Sequence, residues 1–559
     1  MEKILKIFSK EYENLNQAAI LLGFFAFLSQ ILGLFRDRAL AHFIGPSPML
    51  DSYYAAFRIP DLIFISIASL ASITVLIPFI LRRMSGEKIT IEAQKFLNDV
   101  FTVFLAGMVL VSAIFFIFMP EISPYIAPGF TSFYQEKVTL LSRIMLLSPI
   151  LLGLSNLFGS VTQLFRRFFL YSLSPIFYNV GIIIGVVLLY PLFGIQGLGL
   201  GVVLGSLLHF LIQVFASATS GFMPRFSLNI DYRGVWEMIL VSMPRTLGLS
   251  FNNIALTILV MIASYLTPGS ISIFNLSLSL QSVPLGIVGL SYAVAAFPTL
   301  TKYFSKGMMS EFKEQLKSAA RQIIFWSLPA TFLFIVLRAQ IVRVVLGSSN
   351  FSWENTRLVA AALAVFAISV TAQGLVALFA RAYYAAGNTR KPLLINLISA
   401  SWIVFFAIIF NYAFSHYPIF QYFIESLLKV SDIPGTEVLI LPLAYSFGTI
   451  INLALLGIFL KKEYLPKEEF VSRTFFHSLG ASFLIGAVTY FFLNILSPIF
   501  GTTTFWGVFL QGFFSGIFGI AAGVIVLHLL RNRELADLVA AFKTKFWKSK
   551  VIVPPQEEL

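Results

Sequence analysis

The sequence contains no cysteine and few histidines, and both scarcities exclude classes of site. Without Cys the chain has no disulfide, no thiolate metal ligand and no cysteine nucleophile. The five histidines are scattered along the chain, and no two stand at a spacing typical of metal ligands. They are His42, His209, His416, His477 and His528. The sequence therefore predicts no metal site.

Charged residues are also scarce, at 12% of the 559 residues, whereas soluble domains carry about 25%. Hydrophobic residues make up 58% of the chain. A run of about 20 apolar residues can cross a bilayer as a helix, and counting such runs predicts an all-α polytopic membrane protein with about fourteen transmembrane helices. The predicted spans begin near Asn16, Asp51, Leu97, Lys137, Phe168, Ile195, Trp236, Ile271, Gln322, Glu354, Pro392, Val438, Phe475 and Thr504.

Short motifs of common enzyme classes are missing. The sequence has no P-loop, no G-x-S-x-G and no H-E-x-x-H. We therefore expect neither an enzyme nor a pump driven by its own ATPase, with no catalytic residues and no cofactor. A secondary transporter or a flippase remains.

The net charge of +13 follows the predicted topology. Most of the 39 Lys and Arg residues stand before the first span, after even-numbered spans or in the C-terminal tail. By the positive-inside rule, both termini are expected in the cytoplasm. A basic cytoplasmic surface attracts anionic lipid, so we expect membrane lipids as partners and no nucleic acid.

Two sequence landmarks recur at nearly the same offset. The pattern P-x-x-x-N begins at Pro175 and again at Pro392, 217 positions later, and Pro78 and Pro298, which each close a span, are 220 positions apart. These offsets predict two six-helix halves in parallel orientation, a repeat that usually places substrate at its interface. The predicted divisions are an N-terminus at 1–15, an N-lobe at 16–217, a C-lobe at 236–462 with an external insert at 416–436, two extra helices at 473–531 and a basic amphipathic cytoplasmic tail at 532–559.

Several ionisable residues interrupt the first two predicted spans. They are Arg36, Asp37, Arg38, Asp51, Arg58 and Asp61. A charge at bilayer depth costs about 2.5–3.5 kcal/mol on insertion scales. Snorkelling at helix ends explains Arg38, whereas the apolar helix around Arg58 and Asp61 favours an internal polar cavity or an anionic ligand.

The first two predicted spans contain LSQILGLFRDRALAHFIG, followed by LDSYYAAFRIPDLI. These motifs resemble the MurJ (MviN) lipid II flippase family of the multidrug/oligosaccharidyl-lipid/polysaccharide (MOP) exporter superfamily. The resemblance continues through Met243–Ile254, Val283–Lys302 and Leu378–Leu393, and it covers about residues 16–530. The resemblance implies two lobes in a V around a cationic cavity that opens to each membrane face in turn. The implied substrate is an undecaprenyl-diphosphate-linked glycopeptide.

Three arginines typical of the family are absent. Gln30, Phe64 and Ser279 stand at the positions where the family usually carries them. The positions that match are Arg36, Asp37, Asp51, Pro60 and Pro298, and Arg58 stands for a family basic residue. These departures leave open how a diphosphate is bound.

We predict a substrate-binding cavity and an external gate from these residues. The predicted cavity residues are Arg245, Arg36, Arg58, Asn252, Asn253, Gln30 and Ser279. The predicted gate residues are Asp37, Asp51 and Asp61, which would form ion pairs with the nearby arginines. Polar residues in spans also serve as links between helices, so a static network is the alternative for each group.

The sequence therefore predicts a flippase of the bacterial inner membrane that carries lipid-linked peptidoglycan precursor by alternating access. We expect it to draw on the membrane potential or a monovalent ion, and to work beside the cell-wall synthesis machinery. One alternative is a MOP-type exporter of another lipid-linked oligosaccharide, which the three missing arginines favour. The other is a non-transporting scaffold for cell-wall assembly.

Overall fold

The computed structural model describes residues 15–71, 73–84, 89–165, 167–465 and 471–539, without the side chains of 15–20, 69, 71, 73–74 and 245. The predicted N-terminus at 1–15 and the tail beyond 539 therefore lie almost wholly outside the described residues. The described chain is helical, which confirms the all-α prediction. Its only extended pairing within these ranges is an isolated bridge between Ser348 and Phe351.

The α-helices are numbered in chain order. They are α1 (Leu15–Phe43), α2 (Pro48–Ala56), α3 (Arg58–Ile67), α4 (Ile73–Leu81), α5 (Ile91–Ile126), α6 (Ser132–Met145), α7 (Leu147–Leu164), α8 (Phe168–Ile184), α9 (Tyr190–Phe193), α10 (Ile195–Ser220), α11 (Tyr232–Ala263), α12 (Ser270–Pro284), α13 (Ser291–Ser305), α14 (Met309–Val336), α15 (Arg338–Leu346), α16 (Trp353–Ile368), α17 (Val370–Ala385), α18 (Arg390–His416), α19 (Pro418–Leu428), α20 (Ile440–Tyr464), α21 (Ser472–Phe500) and α22 (Phe505–Leu529). Single turns of 3₁₀ or π helix lie at Ala68–Ala71, Gly185–Leu189, Leu285–Leu290 and Thr436–Leu439.

Eleven helices within the described residues are long and apolar enough to cross a membrane, and α16 with α17 makes a twelfth if they count as one broken span. The remaining two predicted spans correspond to α1, whose first six side chains are outside the description, and to the segment from Pro48 to Leu81, which is divided into short helices. The chain is thus a multi-pass membrane protein, and the count of fourteen stays a prediction.

Helix starts follow ordinary capping chemistry. The hydroxyls of Thr90, Ser352 and Thr504 each accept a hydrogen bond from the backbone N–H three residues later, at 3.1 Å in each case. Such bonds satisfy N–H groups that have no partner inside the helix. They fix the starts of α5, α16 and α22.

By compactness the chain divides into two units. The first consists of Met1–Val283, Val342–Ser369 and Gly387–Leu456, and the second of Pro284–Ile341, Val370–Ala386 and Gly457–Leu559. This division cuts through the predicted C-lobe. The predicted lobes are halves of a sequence repeat, which compactness does not test, so their boundaries remain predictions.

Glycines bring α8 and α10 into close contact inside the first unit. A Cβ on Gly181 would collide with the backbone of Gly205, and a Cβ on Gly185 would collide with Gly201. Small residues four apart let transmembrane helices approach closely where apolar burial alone provides no driving force. This contact holds α8, which carries Asn179 of the site described next.

Candidate functional site

A break between α2 and α3 positions the polar residues of the second predicted span. Pro60 has no N–H, and its ring would clash with the carbonyl of Ala56, four residues earlier, in a continuous helix. The helix therefore stops at Ala56 and restarts at Arg58. The freed carbonyl of Ala56 accepts a hydrogen bond from Ser142 Oγ at 3.1 Å. The break thus places Arg58 at the start of a new helix.

Arg58 is a buried cation, and Asp61, the acid that acts on it electrostatically, does not reach ion-pair distance. The exposed fraction of Arg58 is 6%, and its Nη2 donates a hydrogen bond to Asn275 Oδ1. Asn275 is oriented for this by its own Nδ2, which donates to the carbonyl of Ile271 at 2.7 Å. Arg58 Nε has no hydrogen-bond partner, and no carboxylate of the described residues lies within 4.0 Å of the guanidinium. A buried charge in this condition is costly unless something anionic joins it.

Arg36 and Asp37 lie in the C-terminal part of α1 and form the ion pair that the sequence predicted. Arg36 Nη2 lies 2.8 Å from Asp37 Oδ1, with 26% of the Arg36 side chain exposed and 2% of the Asp37 side chain. The other carboxylate oxygen of Asp37 accepts a hydrogen bond from Ser279. Asp37 is therefore satisfied and buried, whereas Arg36 keeps donor surface available.

Asn179 on α8 completes the surroundings of Arg36. Its Oδ1 accepts from Arg36 Nη1 at 3.3 Å. Its Nδ2 donates to the carbonyl oxygens of Ser29 at 3.3 Å and Pro175 at 3.1 Å, which fixes the amide orientation. The sequence drew attention to Asn179 only as a repeat landmark. The P-x-x-x-N spacing of 175 and 179 is the signal that could have found it, because residues four apart share a helix face.

At two of the positions where the family usually has arginine, this chain has neutral side chains that form hydrogen bonds. Gln30 Nε2 donates to Ser282 Oγ at 3.4 Å, and Ser282 Oγ donates to the carbonyl of Ser279 at 2.6 Å. Together with the bond from Ser279 to Asp37, these contacts join α1 to α12. The structure therefore brings Gln30 and Ser279 into one network with Arg36 and Asp37. Phe64, at the third position, is half-buried on α3.

The structure gives Asp51 a different partner from the one predicted. Its carboxylate accepts from the backbone N–H of Gly269 at 2.6 Å, from the N–H of Ser272 at 2.7 Å and from Ser272 Oγ at 2.6 Å. These bonds cap the start of α12, where a carboxylate also complements the helix dipole. Asp51 is 2% exposed, and no arginine of the described residues contacts it. Asp61 is half-buried and forms no ion pair with a described residue.

The remaining predicted cavity residues, Arg245, Asn252 and Asn253, lie on α11. The side chain of Arg245 is outside the described residues, so its contacts remain a prediction. Residues 245 and 252 are seven apart and therefore share a face of the helix. Asn252 is exposed and lies within hydrogen-bonding reach of Tyr445, whereas Asn253 is 6% exposed with an Nδ2 that finds no partner among the described residues.

The arrangement suits recognition of an oxyanion. The guanidinium groups of Arg36 and Arg58 supply the donors, and the amide oxygens of Asn179 and Asn275 orient them. Arginine presents donors in a planar fork that matches phosphate oxygens. Within the described residues no cluster of three His, Asp or Glu side chains could hold a metal ion.

Comparisons with known proteins identify the family. A family model described as "Lipid II flippase MurJ" matches residues 40–511. A probable lipid II flippase MurJ from Rickettsia prowazekii is 27% identical over 393 residues, covering 69% of this chain and 76% of that protein. One from Thermotoga maritima is 28% identical over 378 residues, covering 66% and 74%.

Solved structures agree in fold. A lipid II flippase MurJ in an inward closed conformation has a TM-score of 0.73 at 21% identity, covering 93% of this chain and all of that chain. An inward-facing MATE family transporter of the MOP superfamily has a TM-score of 0.63 at 15% identity, covering 79% and 96%. The family match extends over most of the sequence and includes Arg58 and Asn275, whereas Arg36 and Asp37 lie just before its first residue. The chain belongs to the lipid II flippase MurJ family.

Proposed function

We propose that this protein moves lipid II, the undecaprenyl-diphosphate-linked peptidoglycan precursor, from the inner to the outer leaflet by alternating access. Family membership supports the substrate class. The observation that carries the proposal is Arg58, a buried guanidinium with an unpartnered Nε and no carboxylate within 4.0 Å among the described residues. A scaffold has no need of such a cation, whereas a diphosphate headgroup crossing about 30 Å of hydrocarbon needs fixed donors.

In this proposal Arg36 and Arg58 bind the diphosphate, with Arg245 as a third cation. The amides of Asn252 and Asn253 supply donors for the sugar and peptide. Gln30, Phe64 and Ser279 leave three family charges missing, so each remaining arginine carries more of the binding energy. The isoprenoid tail stays in the lipid, because transferring it into a polar cavity would expose apolar surface.

The gate and the energy source are further parts of the proposal. The Arg36–Asp37 pair would open when phosphate replaces the carboxylate as partner of the guanidinium, with Asp61 as a second acid and Asp51 keeping α12 capped throughout. The membrane potential or a monovalent ion drives the cycle. The protein works in the bacterial inner membrane with both termini in the cytoplasm, among membrane lipids and beside the cell-wall synthesis machinery, as a transporter without catalytic residues.

Complementation tests the substrate. The gene is expressed in a strain whose own lipid II flippase can be depleted, and membrane insertion is verified by immunoblotting of membrane fractions. We expect growth to be restored. Correct insertion without growth would reject lipid II as the substrate and favour an exporter of another lipid-linked oligosaccharide.

A further inference from the structure

A cationic pocket lies in the second unit and takes no part in the network around Arg58. Its volume is about 280 Å³, and it is formed where α21 begins and where the chain leaves α22, with α14 beside it. Six of its lining residues are ionisable. They are Arg321, Arg473, His477, Arg531, Arg533 and Glu534. The pocket is thus lined by four arginines and a single carboxylate among its described residues.

The single carboxylate is already engaged. Glu534 is 5% exposed and accepts a hydrogen bond from Thr474 Oγ1 at 2.8 Å. Arg321 Nε lies 3.6 Å from the same carboxylate oxygen, Oε1. Arg321 and Glu534 therefore neutralise each other.

Two further arginines, Arg473 and Arg531, are exposed and have no acidic partner among the described residues. Arg533 is 3.9 Å from the exposed Asp537. Like charges gathered around one cavity repel each other unless an anion lies between them. The pocket therefore has the electrostatics of a site for an oxyanion.

The chain after α22 is built to hold this geometry. Leu535 is buried with Phe325, Ala481 and Leu527 in one apolar cluster, which packs the segment at 533–539 against α14, α21 and α22. Asn532 is 3% exposed, and its Oδ1 accepts from the N–H of Leu535 at 2.9 Å. The backbone at 531 and 533 is consequently held on either side of an anchored residue, and both arginine side chains are exposed.

The position of the pocket identifies the source of the anion. Phe476 on α21 is 67% exposed and Leu529 on α22 is 73% exposed, each within a few residues of the pocket arginines. Both helices are long and apolar enough to span a membrane, so exposed apolar side chains at their ends are expected to face lipid. A pocket within a few residues of these helix ends is then close to the level of phospholipid headgroups.

We propose that this pocket binds the phosphate of an anionic phospholipid headgroup. The phosphate would lie between Arg473 and Arg531, with each guanidinium donating to its oxygens. Basic pockets between transmembrane helices bind the headgroups of anionic lipids in other membrane proteins. A bound headgroup links the start of α21 to the segment after α22, so it stabilises this part of the fold.

The test measures binding without transport, so its result does not depend on the proposed function. The purified full-length protein in neutral detergent is titrated with dioctanoyl phosphatidylglycerol, dioctanoyl phosphatidylcholine or inorganic phosphate, and the unfolding temperature is recorded. The variant is Arg473→Gln with Arg531→Gln. The control is Arg225→Gln with Arg233→Gln, which removes the same charge from exposed positions elsewhere.

We expect phosphatidylglycerol to raise the unfolding temperature of the unmodified protein. The half-maximal concentration should rise about tenfold or more in the pocket variant and stay unchanged in the control. If the pocket variant folds poorly, Arg473→Lys with Arg531→Lys keeps the charge and should show an intermediate shift. An equal loss in pocket variant and control would overturn the site. An equal response to phosphatidylcholine would overturn the charge selectivity, and full competition by millimolar inorganic phosphate would assign the site to free phosphate instead of lipid.

Discussion

Replacing Arg58 with Met separates a substrate-binding arginine from a structural one. The side chain is 6% exposed, so Met fills a similar volume in the same apolar surroundings. The change removes the hydrogen bond to Asn275 and the buried positive charge together. For a structural arginine the loss of its contacts lowers stability, whereas a cation kept for an anionic ligand destabilises the empty protein.

The expected change in the stability of the empty protein differs in sign between the two roles. A hydrogen bond to a charged group contributes about 1.5–3 kcal/mol, which is what loss of the Asn275 contact would cost at most. Burying an ion without a directly contacting partner costs several kcal/mol, and Met removes this cost at the expense of the longer-range attraction between Arg58 and Asp61. We therefore expect the unfolding temperature of the empty Arg58→Met protein to stay level or rise. Loss of one contact to the ligand phosphate, about 1.5–3 kcal/mol, should weaken lipid II binding about 10- to 150-fold.

The assay pairs thermal unfolding of the purified protein with growth rescue in the depletion strain. Arg38→Met is the matched control, because Arg38 Nη1 donates to the carbonyls of Val344 at 2.7 Å and Val345 at 3.1 Å, at the end of α15. The control should unfold at a lower temperature. A lower unfolding temperature for Arg58→Met, with transport per folded molecule unchanged, would refute the reasoning.

Further predictions concern Arg245, the topology and the insert at 416–436 that is predicted to be external. Arg245→Ala should abolish growth rescue at normal protein abundance, and Arg245→Lys should retain part of it, since a point charge replaces the planar fork of donors. The measurement is growth at equal protein level. Unchanged growth in the Ala variant would exclude Arg245 from the site. A single cysteine at exposed Ser305 should be shielded from an impermeant thiol reagent in intact cells, whereas one at exposed Ser431 should be labelled. Labelling at Ser305 without lysis would overturn the topology. Hydrogen bonding from Arg357 holds the pKa of the Asp432 carboxyl below its ordinary value of about 3.9. This contact stabilises the insert above that value and is lost as pH falls through the lowered pKa, so proteolysis of the insert should accelerate only in acid, and Asp432→Asn should remove that pH dependence.

Composition and periodicity were enough to predict the class of fold. Apolar runs of about 20 residues leave few alternatives to membrane helices, and the helical structure confirms this. The second predicted span shows what such counting leaves out, which is a break inside a span. Its apolar content is that of a single helix, but Pro60 ends one helix at Ala56, and further short helices follow as far as Leu81.

One contact of the candidate site was predictable from the sequence, and the others were not, while the role of these residues in binding stays a prediction. Arg36 and Asp37 are adjacent in sequence, so their pairing needed no knowledge of the fold. The partners of Asp37 and Arg58, Ser279 and Asn275, are more than 200 positions away, and a single sequence carries no record of such distances. Asp51 illustrates the consequence. A carboxylate near arginines suggests an ion pair, whereas the folded chain presents the N–H groups at the start of α12, which compete successfully for it.

Movement of lipid II itself is the most direct test of the central claim. The protein is reconstituted in liposomes that contain a fluorescent lipid II, and an impermeant quencher is added outside. With the unmodified protein, we predict that the fraction protected in the inner leaflet is quenched progressively, whereas vesicles with Arg58→Met or without protein retain it. Equal protection in all three preparations, with correctly folded protein, would contradict the account.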